Sequence, residues 1–140
     1  MEVIVLCGVQ GSGKTTLYRD RFIDTHVHVS LDLLNSRARE AALVAECLEE
    51  RRPFVVDNTN PTAADRARYV DPARLADFKI VAYLVEGDWT SAHVGPAKVA
   101  ATARRLVRPV PEEGFDELWH ATTGPDGWRI EPLLTTPPLF

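Results

Sequence analysis

Cysteine, long hydrophobic runs and excess positive charge are all in short supply in this chain. Only two of its 140 residues are cysteine. Cys7 lies in an apolar run and Cys47 in a helical pattern, with no CxxC or other ligand spacing, so disulfide and zinc scaffolds are excluded and a reduced, cytoplasmic setting is expected. The longest unbroken apolar run is Val3 to Cys7, far short of the roughly 20 residues that a membrane span requires. No basic segment precedes it as in a signal peptide, so a soluble, unprocessed protein without a membrane partner is expected. Lysine and arginine total 16 against 20 acidic residues, a formal charge of -4, which argues against a protein that holds nucleic acid by bulk electrostatics. A localised basic groove remains compatible with that balance. There is no internal repeat, and the sole biased stretch, Thr135-Thr136-Pro137-Pro138, reads as a frayed terminus.

What is present describes one compact domain over residues 1–140, with 45% apolar and 26% charged residues. At this length folding buries roughly two-thirds of the surface exposed by the unfolded chain, enough for a core without staples. Glu2 to Cys7 is a β-branched apolar run ending at glycines, as expected of a central parallel strand covered on both faces. Lys14 to Arg21 fits a helix and His26 to Ser30 a short strand. Leu34, Ala38, Ala41, Ala45 and Leu48 recur at helical spacing, so residues 31–51 are predicted as one amphipathic helix packed on the sheet by that stripe. Pro53 to Asp57 is another buried strand. Thr62 and Asp65 have capping-box spacing for a helix through Tyr69, closed by Asp71-Pro72. Phe78 to Val85 is a fourth strand. Gly87-Asp88 opens a short helix ending at Gly95-Pro96, and Ala97 to Arg108 is helical again. Phe115 to Thr122 and Trp128 to Leu133 flank the turn signal Gly124-Pro-Asp-Gly127, which predicts a hairpin. Strands alternating with helices give an α/β fold with a mostly parallel sheet flanked by helices and a C-terminal hairpin.

Gly8-Val-Gln-Gly-Ser-Gly-Lys-Thr15 matches G-x-x-x-x-G-K-[ST], the Walker A phosphate-binding loop. Its glycines let successive backbone N–H groups face one anion at the positive end of a helix. Lys14 reaches the β- and γ-phosphates and the Thr15 hydroxyl holds Mg²⁺. Gly8, Gln10, Gly11, Ser12, Gly13, Lys14, Thr15 and Thr16 are therefore the expected nucleotide-binding residues. Strand ends of the same polarity open on one sheet edge, where ligands gather. Two carboxylates fall there: Asp57 closes the run Phe54-Val-Val, where a P-loop protein keeps an acid for the Mg²⁺, and Asp32 follows the second strand at the start of a helix. The bland alternatives are a turn aspartate and a helix-start acid respectively. Arg104 and Arg108 stand one helical turn apart and could close over a triphosphate, or be a solvated face. His26 and His28 are assigned to opposite faces of their strand and to structural roles, and Trp89, Trp119 and Trp128 to packing.

Gly8 to Thr15, Val29-Ser-Leu-Asp32, Val55-Val-Asp-Asn-Thr-Asn-Pro61, Arg104-x-x-x-Arg108 and Glu113-Gly-Phe115 together resemble the polynucleotide kinase-like branch of the P-loop kinases. They do so in order, from Val3 to about Leu118, and Asp57-Asn-Thr-Asn60 is the more specific sign. The resemblance implies a P-loop NTPase fold, ATP and Mg²⁺ as cofactors, and transfer of the γ-phosphate to a hydroxyl acceptor, typically the 5′-hydroxyl of DNA or RNA. It also implies that Asp32 is the general base, Asp57 part of the metal and acceptor site, and Arg104 and Arg108 lid arginines acting with Lys14 in catalysis. Two departures stand out. Members often carry an arginine three residues after the catalytic aspartate, where this chain has Asn35 and then Arg37. They also insert an acceptor-facing helix where only Pro109-Val-Pro-Glu112 intervenes. Alternative readings are a small-alcohol kinase, a slow NTPase using water, and a binding module ordered by nucleotide. Asp32 discriminates, since a base is needed only when a hydroxyl must be activated.

Overall fold

Six β-rich runs assemble into one sheet in the order β2-β3-β1-β4-β5-β6. The computed structural model describes residues 1–87 and 94–133. Its elements are β1 (Glu2–Cys7), α1 (Lys14–Arg21), β2 (Val27–Val29), α2 (Leu31–Leu34), α3 (Arg37–Glu49), β3 (Phe54–Asp57), α4 (Ala63–Leu75), β4 (Lys79–Glu86), α5 (Pro96–Arg105), a 3₁₀ turn at Pro111–Glu113, β5 (Glu117–Gly124) and β6 (Gly127–Pro132). The first five strands are parallel and β6 pairs antiparallel to β5, the expected hairpin. β1 lies between β3 and β4, so its C-terminal end opens at the point where the strand order reverses, the position at which α/β sheets bind ligands.

Both faces of the sheet are covered. Val3, Val5, Val56, Ile80 and Ala82 face Val44 and Cys47 of α3 and Tyr69, Val70 and Ala73 of α4. Ile4, Leu6, Val55, Val81 and Val85 face Leu17 and Tyr18 of α1, with the hairpin's Ala121, Trp119 and Trp128 alongside. Full burial of a side chain such as Leu6, Leu17 or Phe54 contributes about 1.5–3 kcal/mol. This two-sided packing explains why these strands read as continuous rather than alternating apolar runs.

Four sequence expectations change. Residues 31–51 are two helices, because Asn35 turns left-handed at φ 57° and Ser36 caps α3 by accepting the Arg39 N–H at 3.2 Å. Asparagine tolerates that conformation better than most residues. The helix face that packs inward is Glu40, Val44 and Cys47, whereas Ala38, Ala41 and Ala45 of the predicted stripe are exposed. The inward face differs from the apolar stripe because one of its buried residues, Glu40, is a carboxylate. α4 runs through Asp71-Pro72 to Leu75, its proline tolerated near the end of a helix held down by buried Tyr69, Val70 and Ala73. α5 ends at Arg105, with Leu106 already extended, so Arg104 and Arg108 do not share a helical face. The predicted helix after Gly87-Asp88, Trp89 and the Pro-rich end lie outside the described residues.

Candidate active site

The loop between β1 and α1 is shaped by its glycines. A Cβ on Gly8 would sit 2.5 Å from the Val85 carbonyl oxygen, and Gly13, at φ 106°, supplies the left-handed step into α1. Gly8 N–H donates to the Thr59 carbonyl at 3.0 Å, fastening this loop to the segment after β3. Lys14 is buried at 8% exposure and folds back onto the Gly8 and Val9 carbonyls at 3.0 and 2.9 Å. Burial pushes its ammonium below the usual lysine range, while Asp57, Cys7 and Asp32 pull upward. Such a group gains more from an incoming polyanion than a solvated lysine does. Among the described residues, the two buried side-chain polar atoms without a hydrogen-bond partner are Gln10 Oε1 and Ser12 Oγ, both in this loop.

These residues open into a cavity of about 580 Å³. Gln10, Gly11, Gly13, Lys14, Thr15 and Thr16 line it together with Asp32, Asp57 and the Asn58–Pro61 segment. Of the expected nucleotide-binding residues, Gly8 and Ser12 are not among those lining it. Thr15 Oγ1 donates to Asp57 Oδ2 at 2.7 Å. A hydroxyl and a carboxylate this close form an oxygen donor set that fits a Mg²⁺ carried by substrate phosphates.

Asp32 occupies the first turn of α2, a helix of four residues, too short to stand alone. Asn58 holds it from outside: its Oδ1 accepts the Leu31 N–H at 3.0 Å. The amide nitrogen of Asn58 donates to Glu40 Oε2 at 2.7 Å and to the Tyr69 hydroxyl at 3.1 Å. Glu40 is 1% exposed. Its Oε1 accepts from Arg37 and from the Tyr69 hydroxyl, both at 2.8 Å. Burial and the bond to Glu40 push the Tyr69 phenol upward. Neither Glu40 nor Asn58 is singled out by the sequence, Glu40 because it belongs to no motif and to no apolar stripe, and Asn58 because it stands there only as part of the Asp57–Asn60 element.

A second buried network secures the segment after β3. Arg66, with no exposed surface, pairs through Nε and Nη2 with both carboxylate oxygens of Glu113 at 2.8 and 3.0 Å. Its Nη1 donates to the Asn60 carbonyl at 2.9 Å and to Cys7 Sγ at 3.5 Å. Burial works against the guanidinium charge, but the hydrogen bonds and charges of Glu113 and Cys7 together push its pKa up. Glu113 thus serves the fold, which accounts for the Glu-Gly-Phe element without a contact to the cavity.

The cations lining the cavity are Lys14, Arg19, Arg37 and Lys98. Arg104 and Arg108 are not among the lining residues. Lys98 stands one turn before Thr102 on α5, and Thr102 Oγ1 accepts from Gln10 Nε2 at 3.0 Å, docking this helix on the phosphate loop. No sequence signal singled out Lys98, because it belongs to no motif. His26 and His28 also differ from expectation. A strand repeats every two residues, so both rings share a face, where His26 meets Phe22 edge-on and His28 stacks on Tyr18. Among the described residues no group of three or more His, Cys, Asp and Glu is arranged to hold a metal alone, and no helix is long and apolar enough to cross a membrane.

No family model matches the chain. A bifunctional polynucleotide phosphatase/kinase of Schizosaccharomyces pombe is 32% identical over 80 residues, covering 56% of this chain and 19% of that protein. The chain spans about a fifth of the length of the curated relatives it matches. Kti12 of Chaetomium thermophilum, solved in complex with ADP-AlF3, has a TM-score of 0.67 at 17% identity, covering 86% of this chain and 88% of that one. A gluconokinase from Sinorhizobium meliloti 1021 has a TM-score of 0.59 at 17% identity, covering 86% and 82%. Strand order, phosphate loop and these likenesses agree: the chain has a P-loop kinase fold, and its sequence relatives are named polynucleotide phosphatase/kinases.

Proposed function

We propose that this protein transfers the γ-phosphate of ATP to a hydroxyl, with Asp32 as the general base. The observation that carries this reading is the meeting of Lys14, Thr15, Asp57 and Asp32 around one cavity of about 580 Å³. The phosphate loop and the N-terminus of α1 receive the β- and γ-phosphates, and Lys14 leaves its two carbonyl partners for them. Thr15 and Asp57 would hold the Mg²⁺, which would supply positive charge to offset the negative charge that develops on transfer. Asp32 accepts the proton of the attacking hydroxyl across the cavity, and Asn58 keeps its helix in place. The reaction itself asks little more than alignment and charge stabilisation.

The named relatives favour the 5′-hydroxyl end of a nucleic acid as acceptor. A second reading, a small alcohol, is favoured by the lining: among the described residues no aromatic side chain borders the cavity, so a stacking platform for a base is missing there. Incubation with γ-labelled ATP and 5′-hydroxyl oligonucleotides, nucleosides, sugars or water alone separates the readings. Label on an oligonucleotide end supports the first, and label on a sugar or nucleoside the second. Label released only as inorganic phosphate refutes both.

A further inference from the structure

One contact to the proposed nucleotide site belongs to no motif. His28 Nε2 lies 2.8 Å from Asp57 Oδ2, the same oxygen that accepts from Thr15. A carboxylate only accepts hydrogen bonds, so this nitrogen carries the proton. The Asp57 side chain is 4% exposed and that of His28 18%. The imidazole is itself held in place. It stacks on Tyr18 with ring centroids 4.0 Å apart and planes 12° from parallel, and the Tyr18 hydroxyl donates to the His26 carbonyl at 2.6 Å, tying the aromatic pad to the residue just before β2.

We propose that His28 is a positioning residue for the nucleotide's Mg²⁺, orienting the Asp57 carboxylate through the Nε2–Oδ2 hydrogen bond. Two donors on Oδ2 fix the rotation of the carboxyl group, and among the described residues no hydrogen bond engages Oδ1. A carboxylate aimed in advance loses less freedom when a cation arrives. Partners that orient metal ligands typically change metal affinity by about 10- to 100-fold when removed. His28 does not touch the reacting groups, and its influence passes through Asp57. The inference rests on the reading of Thr15 and Asp57 as the Mg²⁺ site.

The test is calorimetric titration of ATP into the wild type and His28→Phe, once with Mg²⁺ and once with EDTA. Phenylalanine keeps the stack on Tyr18 but removes the donor. The wild type should bind more tightly with Mg²⁺, and His28→Phe should lose about tenfold or more of that Mg²⁺-dependent gain. Its affinity in EDTA should stay within about twofold of wild type, because the phosphate loop is untouched. A variant that keeps the whole Mg²⁺-dependent gain, or loses the same factor in EDTA, overturns the proposal. A wild type with no Mg²⁺-dependent gain overturns the Mg²⁺ site itself, and the role of His28 with it. Should His28→Phe fail to fold, His28→Asn, too short to reach Oδ2, is subject to the same criteria.

Discussion

Replacing Glu113 by alanine should strongly destabilise the fold. The carboxylate makes two charge-assisted hydrogen bonds to Arg66 and accepts the Val110 N–H at 3.0 Å. Arg66 is fully buried, so without Glu113 its charge keeps only the Asn60 carbonyl and the Cys7 sulfur. Stranding one partner of a buried ion pair costs about 3–5 kcal/mol. For 140 residues at about 2.1 cal/mol/K each, the unfolding entropy is about 0.29 kcal/mol/K, so the melting temperature should fall by about 10–17 °C. Changing both partners, Arg66→Met with Glu113→Leu, should cost clearly less than the sum of the single changes, because no buried charge is left over. Calorimetric melting of the wild type, Glu113→Ala, Arg66→Met, Glu113→Leu and the double variant measures this. A fall below about 3 °C for Glu113→Ala, or additive single and double effects, would refute the claim that the pair acts as one unit.

Mg·ATP at a hundred times its dissociation constant should add about 2.7 kcal/mol of stability, and Lys14→Ala should lose most of that gain. Identical melting of both proteins with and without ligand would contradict the phosphate-loop reading. Because Lys98 lines the cavity and Arg104 and Arg108 do not, Lys98→Met should weaken Mg·ATP binding by about tenfold, the usual scale of a charged hydrogen bond. The double Arg104→Ala, Arg108→Ala variant should weaken it less, and the reverse ranking would return the role to the arginine pair. Burial pushes the Cys7 thiol up from the usual 9.0 to about 11. Since the folded value lies above the unfolded one, this stabilisation is complete below pH 9 and is lost as pH rises toward about 11, amounting to about 2.7 kcal/mol at most. Urea titrations between pH 8.5 and 11 should accordingly fall more steeply for wild type than for Cys7→Ala, and parallel curves would contradict this.

The parallel sheet and the phosphate loop were legible because their causes are local. Continuous β-branched runs such as Val3 to Leu6 need two covered faces, and Gly8 and Gly13 meet backbone demands no other residue satisfies. The Thr62–Asp65 capping box was legible for the same reason, and both of its hydrogen bonds form. What stayed hidden depends on partners distant in sequence. Glu40 reads as a surface residue until Arg37, Tyr69 and Asn58 close around it, the last two 29 and 18 positions away. Lys98 reaches the cavity because α5 docks on Gln10, 92 residues from Thr102. Pro72 punctuates a helix by its own geometry, yet the buried flank of α4 carries the helix past it. His26 and His28, two residues apart, share a face rather than opposing ones, and the contact between His28 and Asp57 depends on β2 lying beside β3, which no local signal carries.

The most direct test of the account compares Asp32→Asn with wild type in one sample each, measuring Mg·ATP affinity, melting temperature and the rate of γ-phosphate transfer to the acceptor found in the labelling panel. Asparagine keeps the size and much of the hydrogen bonding of aspartate but cannot take a proton. Phosphate binding by Lys14 and the loop should persist, so affinity should stay within about threefold, while transfer should fall by about a hundredfold or more, as expected when a general base is lost. The weaker helix-end charge alone would lower stability by under about 1 kcal/mol and leave turnover nearly intact. An Asp32→Asn protein that transfers phosphate at the wild-type rate would contradict the assignment of this cavity to hydroxyl phosphorylation with Asp32 as its base.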